Sequence, residues 1–405
     1  MLRGNAVVGQ SGGPTAAINA TLSGVIRGAL LASEIKTVYG MRNGIEGFLK
    51  EDLVDLGQTF NDDERLVALE HTPAAALGSC RKKLPDPTDI AFYESLFALF
   101  RKYEIRYFFY IGGNDSMDTV AKLTAYAKTQ DYEMRFIGVP KTIDNDLAGT
   151  DHTPGFGSAA KYIATTMMEI IRDCAVYTTR AVTVVEIMGR DAGWLTMSAA
   201  LPRLNGVAPD LIYLPERTFD MDRFLDAVEK AFAVHPNVVV AVSEGIQFAD
   251  GRYVGEGMQS GSVDIFGHRY LSGTARVLES AVKEKFGCKV RSIELNLPQR
   301  CASHIASATD LSESVEVGKS AVRAAVSGVS GHVMTINRVS DHPYKIEIGH
   351  TDVSEVANMI RYVPDSFINA DGNHITDDGV RYALPLILGE VELTYINGMP
   401  EHFIL

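Results

Sequence analysis

The segment Lys141-Thr142-Ile143-Asp144-Asn145-Asp146 combines a cation, a hydroxyl and two carboxylates in one short stretch. Two carboxylates this close repel each other unless a cation or a substrate proton lies between them. Transfer of a phosphoryl group requires a base beside the attacking hydroxyl and positive charge beside the transferred group. A plain turn does not readily explain this combination, so the segment predicts a site for phosphoryl transfer.

Two glycine-containing loops could approach phosphate groups. In Gly9-Gln10-Ser11-Gly12-Gly13-Pro14-Thr15, paired glycines expose backbone N–H groups before a predicted helix, whose N-terminus favours anions. In Ile111-Gly112-Gly113-Asn114-Asp115-Ser116, Asn114 and Asp115 offer the oxygen ligands that suit Mg²⁺. A tight strand-to-helix turn is the alternative for the first loop. Capping of the next helix by an Asn or Asp side chain is the alternative for the second.

Glutamate and arginine residues form a third group of candidates. A predicted strand ends within the segment Glu186-Ile187-Met188-Gly189-Arg190, and Gly189 opens space after it. Arg190 could therefore enter a cleft, where the planar fork of its guanidinium suits phosphate oxygens. Glu244 follows an apolar predicted strand and could accept sugar hydroxyls, while Arg291 and Arg300 could hold a sugar phosphate. A turn with a solvated arginine is the alternative for Arg190.

Short β-branched runs alternate with helical stretches, and these elements must position the loops. The predicted strands are 6–8, 37–39, 106–111, 135–139, 181–187, 211–214 and 237–242, and the predicted helices are 15–31, 116–128 and 157–175. Such alternation indicates parallel sheets with right-handed crossovers, in which ligands bind at the carboxyl ends of strands. We therefore expect an α/β protein with two Rossmann-like parallel-sheet domains and the active site in the cleft between them.

The length of 405 residues suits two such domains. We predict that residues 1–145, with parts of the C-terminal region (about 301–405), form the domain that binds the phosphoryl donor, and that residues 146–300 form the acceptor domain. The polar segment 61–87, with its basic run Arg81-Lys82-Lys83, predicts a loop-rich insertion. No motif is recognised after about residue 340.

Composition excludes several classes of function. The chain has 51 acidic and 38 basic residues, a net charge of −13, whereas a nucleic-acid or membrane-surface binder would be basic. No stretch approaches the ~18 apolar residues of a membrane span. The four cysteines show no CxxC pair, which argues against a zinc site or a disulfide framework. We therefore expect a cytoplasmic protein.

In this order and spacing, the loops resemble those of the phosphofructokinase family, from Gly9 to about Arg300. Residues 140–146 and Met188-Gly189-Arg190 are the specific parts of the resemblance. It implies that Asp144 is the base that takes the proton of the sugar 1-hydroxyl. It also implies that Thr142 and Asp146 lie beside the base and that Gly13 contacts the donor phosphate. The residues that it implies for binding fructose 6-phosphate are Met188, Gly189, Arg190, Glu244, Arg291 and Arg300.

Two positions predict the donor. Members of the family that use ATP resemble one another in having a glycine where this sequence has Asp115, which leaves room for the α-phosphate of the nucleotide. A carboxylate fills that space and repels the α-phosphate. Lys141 replaces a small residue with a cation that can neutralise charge developing on pyrophosphate. The resemblance therefore implies reversible transfer from pyrophosphate to fructose 6-phosphate, in glycolysis and gluconeogenesis.

The resemblance also implies Mg²⁺ as the cofactor, held among Asn114, Asp115 and Asp146, and a homodimer or homotetramer. Asn114 stands where the family usually has an aspartate linked to the metal, and Leu297-Pro298 stand where many members have an aromatic residue or a histidine. The arginine that crosses a subunit interface in the family would be Arg180, one position out of step. Three alternatives stay open: an ATP-dependent phosphofructokinase, a kinase of another ketose phosphate such as sedoheptulose 7-phosphate, and a non-catalytic regulatory subunit.

Overall fold

A computed structural model of the chain describes residues 2–256 and 273–405, and in these ranges strands and helices alternate as predicted. The strands are β1 (Gly4–Gln10), β2 (Ile35–Met41), β3 (Leu53–Asp55), β4 (Ile105–Gly112), β5 (Arg135–Pro140), β6 (Ala181–Ile187), β7 (Leu211–Tyr213), β8 (Asn237–Ser243), β9 (Lys289–Glu294), β10 (His332–Asp341), β11 (Tyr344–Asp352), β12 (Tyr395–Ile396) and β13 (Met399–Pro400). The helices are α1 (Ile18–Leu31), α2 (Gly44–Leu49), α3 (Leu56–Thr59), α4 (Asp63–His71), α5 (Ile90–Lys102), α6 (Asn114–Ala127), α7 (Phe156–Cys174), α8 (Trp194–Met197), α9 (Met221–Phe232), α10 (Thr274–Phe286), α11 (Pro298–Cys301), α12 (Ala308–Val326) and α13 (Asp377–Ala383).

The larger sheet has the strand order β11-β10-β5-β4-β1-β2-β3. Its central strands are parallel, and β10 joins β5 in parallel through two residue pairs. The edge strands β3 and β11 are antiparallel to their neighbours. Because β10 and β11 come late in the chain, the backbone returns to the first sheet after it has built the second.

The smaller sheet has the order β7-β8-β6-β9, and all its strand pairs are parallel. All seven residues of β8 are buried. Strands covered on both faces are expected to be nearly continuous runs of valine and isoleucine, and this one is. Two sheets whose central strands are parallel, connected by helices, confirm the predicted α/β class, whereas the domain boundaries stay a prediction.

Apolar side chains cover both faces of the larger sheet. Along β1, Ala6 and Val8 face the core formed with α1 and α12, and Val7 faces the core formed with α5 and α6. This alternation is the two-residue period of a β-strand. The strands therefore end in loops whose positions are fixed from both sides.

The polar segment 61–87, predicted to be loop-rich, contains one helix, α4, and is otherwise loop. The Asp62 side chain caps this helix by accepting a hydrogen bond from the Arg65 backbone N–H at 2.8 Å. Only Leu66 and Leu69 of the helix are buried, so the apolar pattern is too sparse to predict it. Among the described residues, no helix is long and apolar enough to cross a membrane.

Candidate active site

A cavity of about 780 Å³ lies between the carboxyl ends of the two sheets. Loops that follow β1, β4 and β5 line one side of it, and residues at the ends of β6, β8 and β9 line the other. The predicted site residues that line it are Gly13, Asn114, Asp115, Lys141, Thr142, Asp144, Asp146, Met188, Arg190, Glu244 and Arg300. The structure therefore brings together loops that are far apart in the sequence, at the end of the strands where parallel sheets bind ligands.

Residues 140–146, which we call the acidic loop, begin where β5 ends. The backbone N–H of Lys141 donates to the Gly112 carbonyl at 3.0 Å. Its ammonium group donates a hydrogen bond to the Gly13 carbonyl, in the loop after β1, at 2.6 Å. Burial lowers the pKa of Lys141 to about 8, against the opposing charge of Asp144. One buried lysine thus ties together the loops after β1, β4 and β5, and carries its charge to the donor side of the cavity.

The carboxyl groups of the acidic loop face the cavity but are closely surrounded by protein. Removal from bulk water raises the pKa of Asp144, an effect opposed mainly by Lys141. Removal from water is the main cause, and repulsion from Asp144 the second, that raise the pKa of Asp146 to about 7. Thr142 Oγ1 donates to Asp144 Oδ2 at 3.3 Å and accepts from the Asp144 backbone N–H at 3.1 Å. A carboxyl group with a raised pKa in a fixed orientation is suited to take a proton near neutral pH.

Residues 111–116, which we call the donor loop, span the end of β4 and the first turn of helix α6. Asp115 lies in the first turn of the helix, and its carboxylate is 3.5 Å from the Lys83 ammonium. Arg81 and Lys83 also line the cavity. Their basic run was predicted to lie in a loop-rich insertion and not in the site. Its position after a loop of glycine and serine (Gly78-Ser79) was the available signal.

Asn114, a predicted metal ligand, is engaged elsewhere in part. In the amide orientation that satisfies its neighbours, Nδ2 donates to the carbonyls of Val356 and Met359 at 3.2 and 3.3 Å. An amide used in this way has only its oxygen left for a cation. The structure therefore places Asn114 at the wall of the cavity as a contact to the C-terminal region.

The fit of a divalent cation can be judged from the donor groups. In residues 2–256 and 273–405, no three or more His, Cys, Asp and Glu side chains gather into a metal site. Mg²⁺ does not need such a group when it binds one or two carboxylates together with substrate phosphates. The repulsion between Asp144 and Asp146 is the feature that a cation would relieve. The residues thus fit a magnesium ion that arrives with a phosphate ligand.

The other side of the cavity combines an arginine and a glutamate. Glu244 Oε1 accepts a hydrogen bond from the Gly189 backbone N–H at 3.3 Å, and Ser243 Oγ donates to the Gly189 carbonyl. Removal from water raises the pKa of Glu244 to about 8. A Cβ atom at Gly245 would lie 1.8 Å from the Arg190 carbonyl oxygen, so only glycine allows the two loops to pack together.

Arg300, on helix α11, reaches towards the donor side. A Cβ atom at Gly13 would lie 3.4 Å from its Nη1 atom. Burial, and after it the charge of Arg81, lowers the pKa of Arg300. Two guanidinium groups that repel each other favour an anion between them. The adjacent Gln299 accepts a hydrogen bond from the Met188 backbone N–H at 3.2 Å, which joins helix α11 to the loop after β6.

Arg291 and Gly189 are the predicted site residues that do not line the cavity. Gly189 is adjacent to it through its contact with Glu244. Arg291 lies on β9 and lines a separate recess of about 40 Å³, with Tyr177, Asn237 and Lys289. That recess is near the amino ends of the strands, because Ala181, Asn237 and Lys289, the first residues of β6, β8 and β9, also line it. Within one chain, the structure does not bring Arg291 to the cavity that contains Arg300.

Parallel sheets, buried acids and converging cations define an α/β enzyme site for phosphorylated ligands. Residues 5–325 match the family model described as phosphofructokinase. The chain belongs to the phosphofructokinase family, which confirms the resemblance seen in its motifs.

Individual relatives are similar over nearly the whole chain. A protein of Methylococcus capsulatus named pyrophosphate–fructose 6-phosphate 1-phosphotransferase is 44% identical over 99% of this chain and 96% of its own length. A protein of the same name from Halomonas elongata is 42% identical, with the same shares covered. The crystal structure of a pyrophosphate-dependent phosphofructokinase from Nitrosospira multiformis is 40% identical, has a TM-score of 0.89, and aligns over 99% of this chain and 96% of that one.

Proposed function

We propose that this protein transfers a phosphoryl group from pyrophosphate to the 1-hydroxyl of fructose 6-phosphate, giving fructose 1,6-bisphosphate and phosphate. The observation that carries the proposal is the pair of charges at the donor side: Asp115 in the donor loop and the buried Lys141 behind it. A carboxylate in that position disfavours the additional phosphate of a nucleotide. The names of relatives that cover the whole chain agree with this activity.

The proton leaves the sugar through Asp144. As the 1-hydroxyl oxygen forms a bond to the transferred phosphorus, its proton passes to the Asp144 carboxylate, and the bond to the leaving phosphate breaks. Lys141 and Arg190 oppose the negative charge that develops on the phosphoryl group and on the leaving phosphate. Thr142 holds the Asp144 carboxylate through the 3.3 Å hydrogen bond.

Asp146 and Asp115 are the residues that would hold Mg²⁺, with the amide oxygen of Asn114 as a further ligand. The cation would neutralise charge on the oxygens of pyrophosphate. The rest of the donor site belongs to this chain: Gly13 allows close backbone approach, and Arg81 and Lys83 add positive charge.

Fructose 6-phosphate binds against the smaller sheet. Glu244 contacts the sugar hydroxyls, and with a pKa raised to about 8 it holds a proton at neutral pH and can donate as well as accept. Arg190 and Arg300 contact the phosphate groups, with Met188 and Gly189 shaping the loop between them. Arg291 is proposed for the 6-phosphate from the family resemblance alone.

The same family resemblance supports the pathway, the compartment, the assembly and the partners that we propose. The reaction is reversible and serves glycolysis and gluconeogenesis in the cytoplasm. The enzyme acts as a homodimer or homotetramer. Its partners are these two substrates and Mg²⁺.

The test supplies fructose 6-phosphate and Mg²⁺ with pyrophosphate in one reaction and with ATP in the other, and measures fructose 1,6-bisphosphate. Product with pyrophosphate alone supports the proposal. Product with ATP alone would favour an ATP-dependent phosphofructokinase. No product with either would favour a regulatory subunit or a kinase of another ketose phosphate, which a panel with sedoheptulose 7-phosphate separates.

The Asp115→Gly variant tests the physical basis of donor choice. We expect kcat/KM for ATP to rise at least ~10-fold, since a repulsive group has been removed. Asp118→Gly is the matched control, because Asp118 lies on the same helix, pairs with Lys122, and does not line the cavity. Equal ATP use by both variants would show that Asp115 does not select the donor.

A further inference from the structure

A segment of the C-terminal region, residues 356–361, packs beside the donor loop and the acidic loop. We call it the C-terminal strap. Asn358 and Ile360 line the cavity. The strap receives the Asn114 amide of the donor loop at the carbonyls of Val356 and Met359. Ile360 forms a backbone bridge with Leu147, directly after the acidic loop. The strap therefore contacts both loops from one side.

Arg361, at the end of the strap, binds the backbone of the acidic loop twice. Its own N–H donates to the Asp146 carbonyl at 2.8 Å. Its Nη1 donates to the Asn145 carbonyl at 3.2 Å, and Nη2 donates to the Tyr382 hydroxyl at 3.3 Å. Two successive carbonyls thus point towards Arg361, while the carboxyl groups on either side of Asn145 face the cavity.

Asn145 adopts a conformation that needs such support. Its φ is +54°, in the left-handed region, where Asn costs less than most residues but more than glycine. It is fully buried, its Nδ2 donates to the Tyr382 hydroxyl at 2.9 Å, and its Oδ1 accepts from the Thr153 N–H at 3.0 Å. The Tyr382 hydroxyl therefore accepts hydrogen bonds from both Asn145 and Arg361. Together with the bond from Arg361 to the Asn145 carbonyl, these contacts form a closed hydrogen-bond network around the turn between Asp144 and Asp146.

The network rests on a rigid part of the core. The guanidinium of Arg361 lies 4.0 Å from the centre of the Trp194 ring, and the Trp194 indole N–H donates to the Arg361 carbonyl at 2.9 Å. Trp194 is completely buried. Stacking over an aromatic ring and donation in a planar fork are both properties that lysine or methionine would not reproduce.

We propose that Arg361 is a positioning residue for phosphoryl transfer: it holds the Asn145–Asp146 backbone against Trp194 so that the carboxyl groups of Asp144 and Asp146 point into the cavity. Arg361 itself does not line the cavity. The inference rests on the proposed roles of Asp144 and Asp146. It predicts a change in kcat without an equal change in KM, because the contacts of fructose 6-phosphate with Glu244 and Arg300 are left intact.

The test compares Arg361→Met with the parent in steady-state kinetics with pyrophosphate. We expect kcat to fall about 10- to 100-fold, the size of effect caused by misplacement of a catalytic group by about 1 Å, with KM for fructose 6-phosphate within about 3-fold. Trp194 is the only tryptophan, so a change in its fluorescence reports the loss of the guanidinium above it. Circular dichroism establishes that the variant is folded.

Arg203→Met is the matched control. Arg203 also ties the C-terminal region to the smaller-sheet side, by donating to the Ile375 carbonyl at 2.7 Å and pairing with Asp377. We expect its kcat to stay within about 2-fold of the parent, because surface ion pairs contribute little. A fall as large as that of Arg361→Met would reduce the effect to general loosening and overturn the proposal.

Two further variants make the outcome decisive. Parental kcat in folded Arg361→Met overturns the positioning role; if that variant does not fold, parental kcat in folded Arg361→Lys, which lacks the planar fork, overturns it instead. Asp144→Asn is measured in parallel. Loss of activity in Asp144→Asn with parental Arg361→Met would defeat the positioning role alone. Loss in Arg361→Met with parental Asp144→Asn would defeat the base assignment and leave a positioning role through Asp146 alone.

Discussion

The donor loop and the acidic loop follow neighbouring parallel strands, β4 and β5, and both carry Asn and Asp after a strand end. Their surroundings differ. Asp115 of the donor loop meets a cation, Lys83, and its side chain is 36% exposed. In the acidic loop Asp146 meets another carboxylate, Asp144, and both are surrounded by protein. The same residue types therefore have different electrostatic environments one strand apart.

This difference separates two tasks of one reaction. A carboxyl group removed from water and facing a like charge holds a proton more tightly, which suits proton transfer. A carboxylate that is half exposed and paired stays available to repel a ligand that brings negative charge to it. We infer that the acidic loop performs the chemistry and the donor loop selects the donor.

The largest effect is expected for Asp144→Asn. Removal of a general base lowers kcat by about 10²- to 10⁴-fold, and the amide keeps the shape of the carboxyl group. The measurement is kcat with saturating pyrophosphate and fructose 6-phosphate, with thermal unfolding as the control for folding. A kcat within 10-fold of the parent would remove proton transfer from the acidic loop and with it half of the comparison.

Lys141→Met should lower kcat/KM for pyrophosphate by about 10²- to 10³-fold, the size found when one preorganised charge is lost. Because burial lowers the pKa of Lys141 to about 8, its charge is present below that pH and lost above it. In the parent, kcat/KM for pyrophosphate should therefore fall as pH rises through about 8.

The alkaline fall is measured with saturating fructose 6-phosphate, so that the sugar pocket with Glu244 is occupied. Lys141→Met should lack it. A fall of the same size and position in the variant would assign the titration to another group and leave Lys141 as a structural tie between loops.

Much of the fold could be predicted from the sequence. The apolar runs of β-branched and aromatic residues that became β1, β4, β5, β6 and β8 each end in glycine or polar residues, and parallel strands place such ends at one edge of a sheet. Helix α4 was missed because a short amphipathic helix with two buried leucines leaves almost no periodic signal. Strands β10 and β11 were missed because polar residues interrupt them: only four residues of β10, and none of β11, are buried.

The site was predictable where residues lie directly after strands, and less so elsewhere. Arg81 and Lys83 reach the cavity from a loop whose path depends on packing far from its own sequence. Arg361 and Tyr382 bind the acidic loop from more than 200 positions away, as the separations of 216 to Asn145 and 237 between Asn145 and Tyr382 show. No local pattern encodes such contacts. Arg291 was assigned from the family resemblance alone, and within one chain it lines a separate recess and not the cavity.

The stability of two matched variants would sharpen the comparison. Ionisation of a carboxyl group whose pKa is raised in the folded state destabilises the fold. The pKa of Asp146 is raised to about 7, so the fold loses stability as the pH rises from about 4 to about 7. Asp146→Asn removes that loss. Without Mg²⁺ and pyrophosphate, we expect its free energy of unfolding at pH 7.5 to exceed the parent's by on the order of 1–3 kcal/mol, since one pKa unit is worth about 1.4.

Asp115→Asn is the partner variant in that experiment, and its free energy of unfolding should stay within about 0.5 kcal/mol of the parent, because exposed ion pairs contribute little. Denaturant unfolding at pH 5 and pH 7.5 gives both values. The gain of Asp146→Asn should be larger at pH 7.5. Equal gains in the two variants would mean that the loops do not differ in electrostatic environment.

The smallest effect is expected for Lys83→Ala. Lys83 is 52% exposed and 3.5 Å from Asp115, and such a pair contributes at most about 1 kcal/mol, so KM for pyrophosphate should rise by no more than about 5-fold with kcat unchanged. The difference from the parent should shrink at high salt, which screens exposed charges. Lys82→Ala is the control, since Lys82 does not line the cavity. A 100-fold loss of kcat would instead place Lys83 on the transferred phosphoryl group, and the donor loop would then share the chemistry that we assign to the acidic loop.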